Sequence, residues 1–242
     1  MLSAKDRLIV ALDVDSQVEA ERLVELLYDQ VGMFKVGMQL FNSEGPAILE
    51  VVKRLGGRIF ADLKFHDIPN TVAQAGKVMT RHGVHMYNVH VAGGREMMEE
   101  TVKVTRQEAE RLGIPRPLVI GVTVLTSISQ EQLSREIGIE RNLTEQVVAW
   151  ARLAQEAGLD GVVASPQEIA SIRAACGPDF LIVTPGVRPR GTALNDQKRV
   201  MTPGEAVKAG ASYLVIGRPI TGAANPRQAA KDILTEMEES AC

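Results

Sequence analysis

Two carboxylates and a lysine lie within six positions of the segment FADLKFHDIPNT, at Asp62, Lys64 and Asp67. The residues before them are apolar enough to form a buried strand. Because side chains alternate along a strand, Asp62 and Lys64 share one face of it. An ammonium flanked by carboxylates within ~4–6 Å stays protonated. This pattern favours Lys64 as a proton donor or as a group that stabilises a developing anion, rather than as a Schiff-base nucleophile.

Eight short runs rich in β-branched residues recur along the chain, and longer amphipathic segments lie between them. Strands that alternate with helices are typical of parallel βαβ units. The strand count and the length of 242 residues favour one domain over residues 1–242, folded as a closed (β/α)8 TIM barrel. A doubly wound open sheet is the alternative. The predicted strands span residues 8–14, 34–38, 58–65, 86–91, 118–125, 161–165, 181–187 and 213–219.

The polar residues of this sequence fall where a barrel does its chemistry, at the carboxyl ends of the strands. If Asp62 and Lys64 point into the barrel mouth, Asp13 and Lys35 converge on them. A buried ion-pair network that only holds the barrel together is the alternative, but desolvation makes such networks weak stabilisers. The pattern therefore favours a catalytic role. The other polar residues near strand ends are Asp15, Thr126, Ser127, Arg188, Gly217 and Arg218.

The last predicted strand ends in Gly217 and Arg218, which predicts a phosphate site. A glycine lets the backbone approach the anion, and an arginine adds a charge-assisted fork of donors. The preceding segment 187–199 is polar and rich in turn-forming residues. It is predicted to be a lid over the ligand, with an ordinary surface loop as the alternative.

The composition argues against several other classes of protein. The net charge is −3 without a block of like charges, which does not indicate a nucleic-acid or anionic-membrane partner. The longest run without charge, 117–130, is shorter than the ~20 residues of a membrane span. The N-terminal residues do not form a signal peptide. Cys176 and Cys242 give neither a metal spacing nor a disulfide framework, which fits a reducing compartment. Together with the N-terminal residues and the short uncharged run, this predicts a cytoplasmic protein.

No metal site is predicted. The lysines that alternate with the aspartates repel a divalent cation, unlike the acidic and amide ligands of a Mg²⁺ site. His82, His85 and His90 cluster in the sequence, but no carboxylate completes a ligand set near them. His66 faces away from the partners of Lys64 if the strand stays extended, so no chemical role is predicted for it.

The segment FADLKFHDIPNT resembles the signature of the orotidine 5′-phosphate decarboxylase family, which is Asp-x-Lys-x-x-Asp followed by Ile-Pro-Asn-Thr. The resemblance covers most of the chain. LIVALDVD and FKVGMQLF resemble the first two strands of the family, and VTVLTS, TPGVRP with a downstream Asp-Gln, and VIGRPI resemble its fifth, seventh and eighth strand ends. The fragments occur in order on eight predicted strands, which makes the resemblance specific.

The resemblance implies a homodimeric barrel that converts the nucleotide orotidine 5′-phosphate to UMP and CO₂ in pyrimidine synthesis, without a metal or an organic cofactor. It also implies a role for each matching residue. Lys35, Asp62 and Lys64 match the charged network, Asp67 the aspartate that reaches the neighbouring subunit's site, and Thr71 a residue across the dimer interface. Asp13 matches a ribose contact, Thr126 a pyrimidine contact with Ser129 as a second candidate, and Arg188, Gln197, Gly217 and Arg218 the phosphate-binding set.

The implied reaction agrees with the chemistry of these side chains. Loss of CO₂ from the C6 carboxylate leaves a carbanion that has no conventional electron sink. The Lys64 ammonium stabilises this charge and then delivers a proton, whereas Asp62 disfavours the ground state beside the departing carboxylate. Binding energy from the remote phosphate drives closure of the lid and is used at the reacting carbon.

Two alternatives remain. A Mg²⁺-dependent sugar-phosphate decarboxylase or hexulose-phosphate synthase shares the Asp-x-Lys-x-x-Asp core, but Lys35 in FKVG and the continuation Ile-Pro-Asn-Thr at 68–71 argue against it. A catalytically silent barrel that only binds phosphate ligands is the other. The complete set of Asp62, Lys64 and Asp67 argues against a silent barrel.

Overall fold

The computed structural model describes residues 2–189 and 201–240. Eight parallel strands close into a barrel in sequence order, and β1 pairs with both β2 and β8. The predicted (β/α)8 TIM barrel is confirmed, and the open-sheet alternative is wrong. The strands are β1 (Leu8–Ala11), β2 (Met33–Gly37), β3 (Ile59–Phe65), β4 (Met86–His90), β5 (Leu118–Val122), β6 (Gly161–Val163), β7 (Leu181–Thr184) and β8 (Tyr213–Ile216).

At least one α-helix follows every strand, and one short helix precedes β1. Of the residues described, no helix is both long and apolar enough to cross a membrane. The helices are α1 (Ala4–Arg7), α2 (Gln17–Leu27), α3 (Met38–Glu44), α4 (Ala47–Arg54), α5 (Pro69–Arg81), α6 (Arg95–Leu112), α7 (Gln130–Arg135), α8 (Leu143–Glu156), α9 (Ile169–Cys176), α10 (Pro203–Ala209), α11 (Arg218–Thr221) and α12 (Pro226–Glu239). Two 3₁₀ turns lie at Val91–Gly93 and Pro166–Glu168.

Local sequence signals set the ends of the helices. The hydroxyl of Ser16 accepts a hydrogen bond from the backbone of Glu19 at the start of α2, and Thr202 caps α10 in the same way. α6 ends at Gly113 with φ of 65°, a left-handed conformation that glycine adopts without steric cost. These signals set where the helices begin and end, whereas packing of their apolar faces on the strands holds them on the outside of the barrel.

The two-residue period of the strands separates two cores. The side chains on one face of each strand fill the inside of the barrel, as do Ile9, Met33 and Phe60. The side chains on the other face pack against the helices. Lys35 and Asp62 lie two residues after Met33 and Phe60 in their strands, so they face the inside of the barrel as well. The inside of the barrel is therefore apolar towards the amino ends of the strands and charged at their carboxyl ends.

Every predicted strand except the third, which ends at Phe65 as expected, runs past its observed carboxyl end. β1 ends at Ala11 and β8 at Ile216, so Asp13, Gly217 and Arg218 lie beyond the strands. The apolar pattern misleads because the loops at the mouth are also buried, as shown by the fully buried side chain of Leu12. The charged residues therefore lie on loops and strand tips that face one another across the mouth.

Candidate active site

Asp62 lies at the centre of a charged set that joins β2, β3 and the loop after β1 and consists of Asp13, Lys35, Asp62 and Lys64. Lys64 Nζ donates to Asp62 Oδ1 at 2.7 Å, and Lys35 Nζ lies 3.4 Å from Asp62 Oδ2. Lys35 Nζ also donates to Asp13 Oδ1 at 2.8 Å. The predicted convergence of Asp13, Lys35, Asp62 and Lys64 is therefore confirmed. The result is an alternating chain of carboxylates and ammoniums across the mouth of the barrel.

Lys64 reaches Asp62 by an unusual backbone conformation. Its φ is 53°, and no other non-glycine residue within 2–189 and 201–240 has a positive φ. Ala61 pairs with Tyr87 and Phe65 with Val89, so β3 carries two more residues than β4 over this interval. The prediction assumed a regular strand up to Lys64, and this assumption is wrong. A bulge re-aims the lysine, as bulges commonly do beside active sites, and a left-handed non-glycine residue stores about 1–3 kcal/mol of strain.

A buried amide, which the sequence reasoning missed, holds this arrangement from β4. Asn88 is fully buried, and its Nδ2 donates to Asp62 Oδ1 at 2.7 Å. Its Oδ1 accepts a hydrogen bond from the backbone N–H of Lys64 at 2.8 Å. Asparagine is depleted in strands, so an asparagine within the apolar run MYNVHV was the available signal.

The charges around Asp62 keep its carboxyl ionised. Burial alone would raise the pKa of Asp62, but the ammoniums of Lys35 and Lys64 outweigh this effect and hold its pKa below the usual 3.8. Hydrogen bonds from Lys64 and Asn88 act in the same direction. Asp62 is therefore a carboxylate at neutral pH, which has not been neutralised by its surroundings.

An apolar cavity of about 240 Å³ opens beside Lys35, Asp62 and Lys64. Its far wall comes from β5, β6 and β7, and Thr126 and Ser127 border it from the loop after β5. Ser129 lies outside this lining, and its hydroxyl instead caps α7 by accepting from the backbone of Gln132. The cavity suits a flat, weakly polar ring held against the charged set.

A second cavity, of about 420 Å³, adjoins the first at Lys35. Its polar lining comes from the ends of β1, β7 and β8. Asp13, Arg188, Gly217 and Arg218 all line it. The two arginines and the glycine backbone form the cationic end of a cleft whose other end is apolar. This arrangement is suited to a ligand that carries a ring at one end and an anion at the other.

Gly37, which the sequence reasoning did not single out, leaves room for the charged set. A Cβ at this position would lie 2.8 Å from Lys35 Nζ and 3.4 Å from Asp13 Oδ1. Any larger side chain would therefore displace the lysine from its carboxylate.

Asp67 and Thr71 lie at the exposed rim, on the loop after β3 and on the first turn of α5. Asp67 Oδ1 accepts from the backbone N–H of Ile68 at 2.6 Å, and Ile68 itself is 66% exposed. Neither Asp67 nor Thr71 lines the two cavities of this chain. Gln197 lies outside the described residues, as does most of the predicted lid 187–199.

His90 lies close enough to Lys64 and Asp62 for their charges to act on its ring. The rings of His66 and His90 lie 5.3 Å apart beside the loop after β4. Burial, followed by the nearby charges of His66 and Lys64, lowers the pKa of His90. Within the described residues, no group of three or more His, Cys, Asp or Glu side chains has the arrangement of a metal site.

Comparison with known proteins gives one consistent family. A model of the orotidine 5′-phosphate decarboxylase / HUMPS family matches residues 6–233. The chain is 59% identical over 239 residues to an orotidine 5′-phosphate decarboxylase of Syntrophomonas wolfei, an alignment that covers 98% of this chain and all of the relative. It is 58% identical over 237 residues to the corresponding protein of Moorella thermoacetica, with 98% and 94% covered. The crystal structure of orotidine 5′-phosphate decarboxylase from Lactobacillus acidophilus superposes with a TM-score of 0.82 at 36% identity, with 95% of this chain and 98% of that chain covered.

Proposed function

The chain belongs to the orotidine 5′-phosphate decarboxylase / HUMPS family, and we propose that it converts orotidine 5′-phosphate to UMP and CO₂. It is a carboxy-lyase of pyrimidine nucleotide synthesis, with its catalytic domain over residues 1–242. The observation that carries this proposal is the contact of Lys64 Nζ with Asp62 Oδ1 at 2.7 Å beside an apolar cavity. This pair of groups suits a reaction in which neutral CO₂ leaves and the resulting carbanion takes up a proton.

Lys64 acts on the carbon that loses CO₂. The bond between C6 and the carboxylate carbon breaks, its electron pair stays on C6, and CO₂ departs as a neutral molecule. The Lys64 ammonium stabilises the developing negative charge and transfers one proton to C6, which gives UMP. Lys64 then regains a proton from solvent. No oxidant, reductant or electron-accepting cofactor is needed for this balance.

Asp62 and Lys35 prepare the site for this step. Asp62 stays ionised, so it repels the substrate carboxylate, and this repulsion disappears when neutral CO₂ leaves. Lys35 lies between Asp62 and Asp13 and fixes the position of both carboxylates. Because the interactions of Asp62 differ between ground state and transition state, they accelerate the reaction rather than only tightening binding.

The remaining residues hold the parts of the nucleotide that do not react. Asp13 binds the ribose, and Thr126 binds the pyrimidine edge. Arg188, Gly217 and Arg218, together with Gln197, bind the phosphate. The adjoining apolar and cationic cavities support this division, because they meet at Lys35. Phosphate binding supplies energy that is used to position C6 against Lys64.

A homodimer completes the site in this proposal. Asp67 and Thr71 reach the substrate of the neighbouring subunit rather than that of their own. Their exposure on this chain, next to the exposed apolar side chain of Ile68, supports such a contact. Mixing the inactive Asp67→Ala and Lys64→Ala variants should restore some activity through hybrid dimers. An absence of restored activity would argue that each subunit builds its site alone.

The protein is proposed to act in the cytoplasm. The thiol of Cys176 is buried and forms no disulfide, which is expected in a reducing compartment.

A Mg²⁺-dependent sugar-phosphate enzyme of the same family is the second candidate. The ammoniums of Lys35 and Lys64 lie within 3.4 Å of Asp62 and compete with a divalent cation for its oxygens. This contact favours the metal-independent reaction.

The deciding experiment adds orotidine 5′-phosphate to the protein in the presence of EDTA and follows the loss of substrate absorbance. Turnover that survives the chelator, and that is lost in Lys64→Ala, is the expected result. Turnover that requires added Mg²⁺, or activity only on a sugar phosphate, would support the second candidate. Binding of the nucleotide without any turnover would indicate a silent barrel.

A further inference from the structure

We propose that Asn88 is a positioning residue for the decarboxylation, because it fixes the Lys64 ammonium and the Asp62 carboxylate relative to each other. This inference rests on the proposed function. Asn88 does not line either cavity, so it acts through Lys64 and Asp62 rather than on the substrate.

The first contact of Asn88 secures the backbone of Lys64. The bulge in β3 interrupts the ladder between Ala61 and Phe65, where the N–H of Lys64 would otherwise find a partner on β4. A buried backbone N–H needs such a partner, and Asn88 Oδ1 supplies it at 2.8 Å. The side chain of Asn88 thus replaces a ladder bond at the one non-glycine residue with a positive φ among those described.

The second contact of Asn88 fixes the rotation of the Asp62 carboxylate. Asn88 Nδ2 and Lys64 Nζ both donate to Oδ1, each at 2.7 Å, which leaves Oδ2 turned towards Lys35. The same short side chain must therefore accept from one neighbour and donate to the other. Asparagine can do both from fixed positions, whereas an ionised aspartate of the same shape cannot donate.

A purely structural explanation accounts poorly for a polar group at this position. Ile120, the residue that pairs with Asn88 on β5, fills the inside of the barrel with an apolar side chain. A buried amide is costly unless it is fully hydrogen-bonded, and both partners of Asn88 belong to the charged set. The amide therefore serves the geometry of these charges.

The test separates catalysis from binding. Asn88→Ala should lower kcat by about 100-fold, the size of effect expected from a misplacement of about 1 Å, while the Kd for UMP changes by less than about threefold. UMP lacks the carboxylate and is held mainly by contacts that Asn88 does not touch. Asn88→Asp keeps the acceptor for the Lys64 N–H but places a second carboxyl at hydrogen-bond distance from Asp62, so charge repulsion or a shared proton disturbs the Asp62 carboxylate and this variant should also lose most of its kcat.

Tyr87→Phe is the matched control. Tyr87 is the preceding residue of β4, is fully buried, and makes its hydrogen bond to Thr105 on the helix side of the strand. Loss of this hydrogen bond in Tyr87→Phe should lower the stability of the protein and leave kcat unchanged. Each kcat is expressed per folded site, counted by titration with UMP, and Asn88→Ser is measured alongside in case the alanine variant does not fold.

The outcomes are distinguishable. An inactive wild type would overturn the proposed function itself. An active wild type with Asn88→Ala or Asn88→Asp within about twofold of its kcat would overturn only the role of Asn88. A parallel loss of kcat and UMP binding, or a failure of all three Asn88 variants to fold, would make Asn88 a structural residue and would also overturn the inference.

Discussion

The strained backbone of Lys64 can be tested separately from its chemistry by comparing Lys64→Gly with Lys64→Ala. Both variants lack the ammonium and its ion pair with Asp62, so those losses cancel between them. They differ in the cost of a φ of 53°, which is about 1–2 kcal/mol for alanine and close to zero for glycine. Lys64→Gly should therefore be more stable than Lys64→Ala, although both variants should be inactive.

The magnitude follows from two opposing effects at this position. The left-handed conformation favours glycine by about 1–2 kcal/mol, whereas the greater freedom of glycine in the unfolded chain takes back about 0.5–1 kcal/mol. The net difference is about 0.5–1 kcal/mol in favour of Lys64→Gly. For a chain of this length, it corresponds to about 1–4 °C in Tm.

Leu63 provides the matched control, because it precedes Lys64 in β3 and has no positive φ. Here Leu63→Gly should be less stable than Leu63→Ala by about 0.5–1 kcal/mol. The unfolded-state effect cancels when the two pairs are compared, which leaves a double difference of about 1–2 kcal/mol for the strain itself.

The assay is urea unfolding followed by circular dichroism, at one protein concentration, because association of subunits would shift apparent stability. The four variants should share one m-value. A double difference of zero, or Lys64→Ala more stable than Lys64→Gly, would refute the assignment of strain to Lys64.

Three further predictions address the phosphate site, the charged set and the helix layer. Arg218→Ala should weaken UMP binding by about 10- to 100-fold, which is the contribution of a hydrogen bond to a charged group, and should leave uridine binding nearly unchanged. An equal loss of affinity for both ligands would contradict the phosphate assignment. Lys35→Met should move the acid limb of the kcat/KM profile to higher pH, because burial raises the pKa of Asp62 and one opposing ammonium is gone; an unmoved limb would show that Asp62 does not control it. Hydrogen bonds from Arg111 and Arg81 lower the pKa of Glu108 to about 2. The ionised carboxylate therefore stabilises the folded state at pH 7, and Glu108→Gln should lower the urea midpoint of unfolding at that pH. This deficit should shrink as the pH falls from about 4.5 towards 2, where the native carboxyl also becomes protonated, and a deficit independent of pH would refute the explanation.

The separation of the proposed reacting end from the proposed phosphate end is a consequence of the barrel. Lys64 comes from β3 and Arg218 follows β8, yet the cavities that they line meet at Lys35 on β2. A closed barrel brings strands that are distant in sequence to one mouth. The barrel can therefore hold the proposed phosphate contacts after β8 and the proposed proton donor on β3 at one mouth.

The sequence determined the barrel and the composition of the charged set. The periodic alternation of short apolar runs with amphipathic segments gave the closed (β/α)8 fold, and side-chain alternation placed Lys35 and Asp62 inside it. These features depend on local periodicity, which is a property of consecutive residues and can be read directly from them.

Only the tertiary structure decided how Lys64 is aimed and what holds it. The bulge in β3, the positive φ of Lys64 and the support from Asn88 depend on the register between β3 and β4, which are separated by α5. A strand pattern cannot reveal a shift in pairing with a neighbour, because the energy of a bulge is offset by contacts from another part of the chain. The strand ends were overestimated for a related reason, since burial at the mouth arises from the closed barrel and not from strand formation.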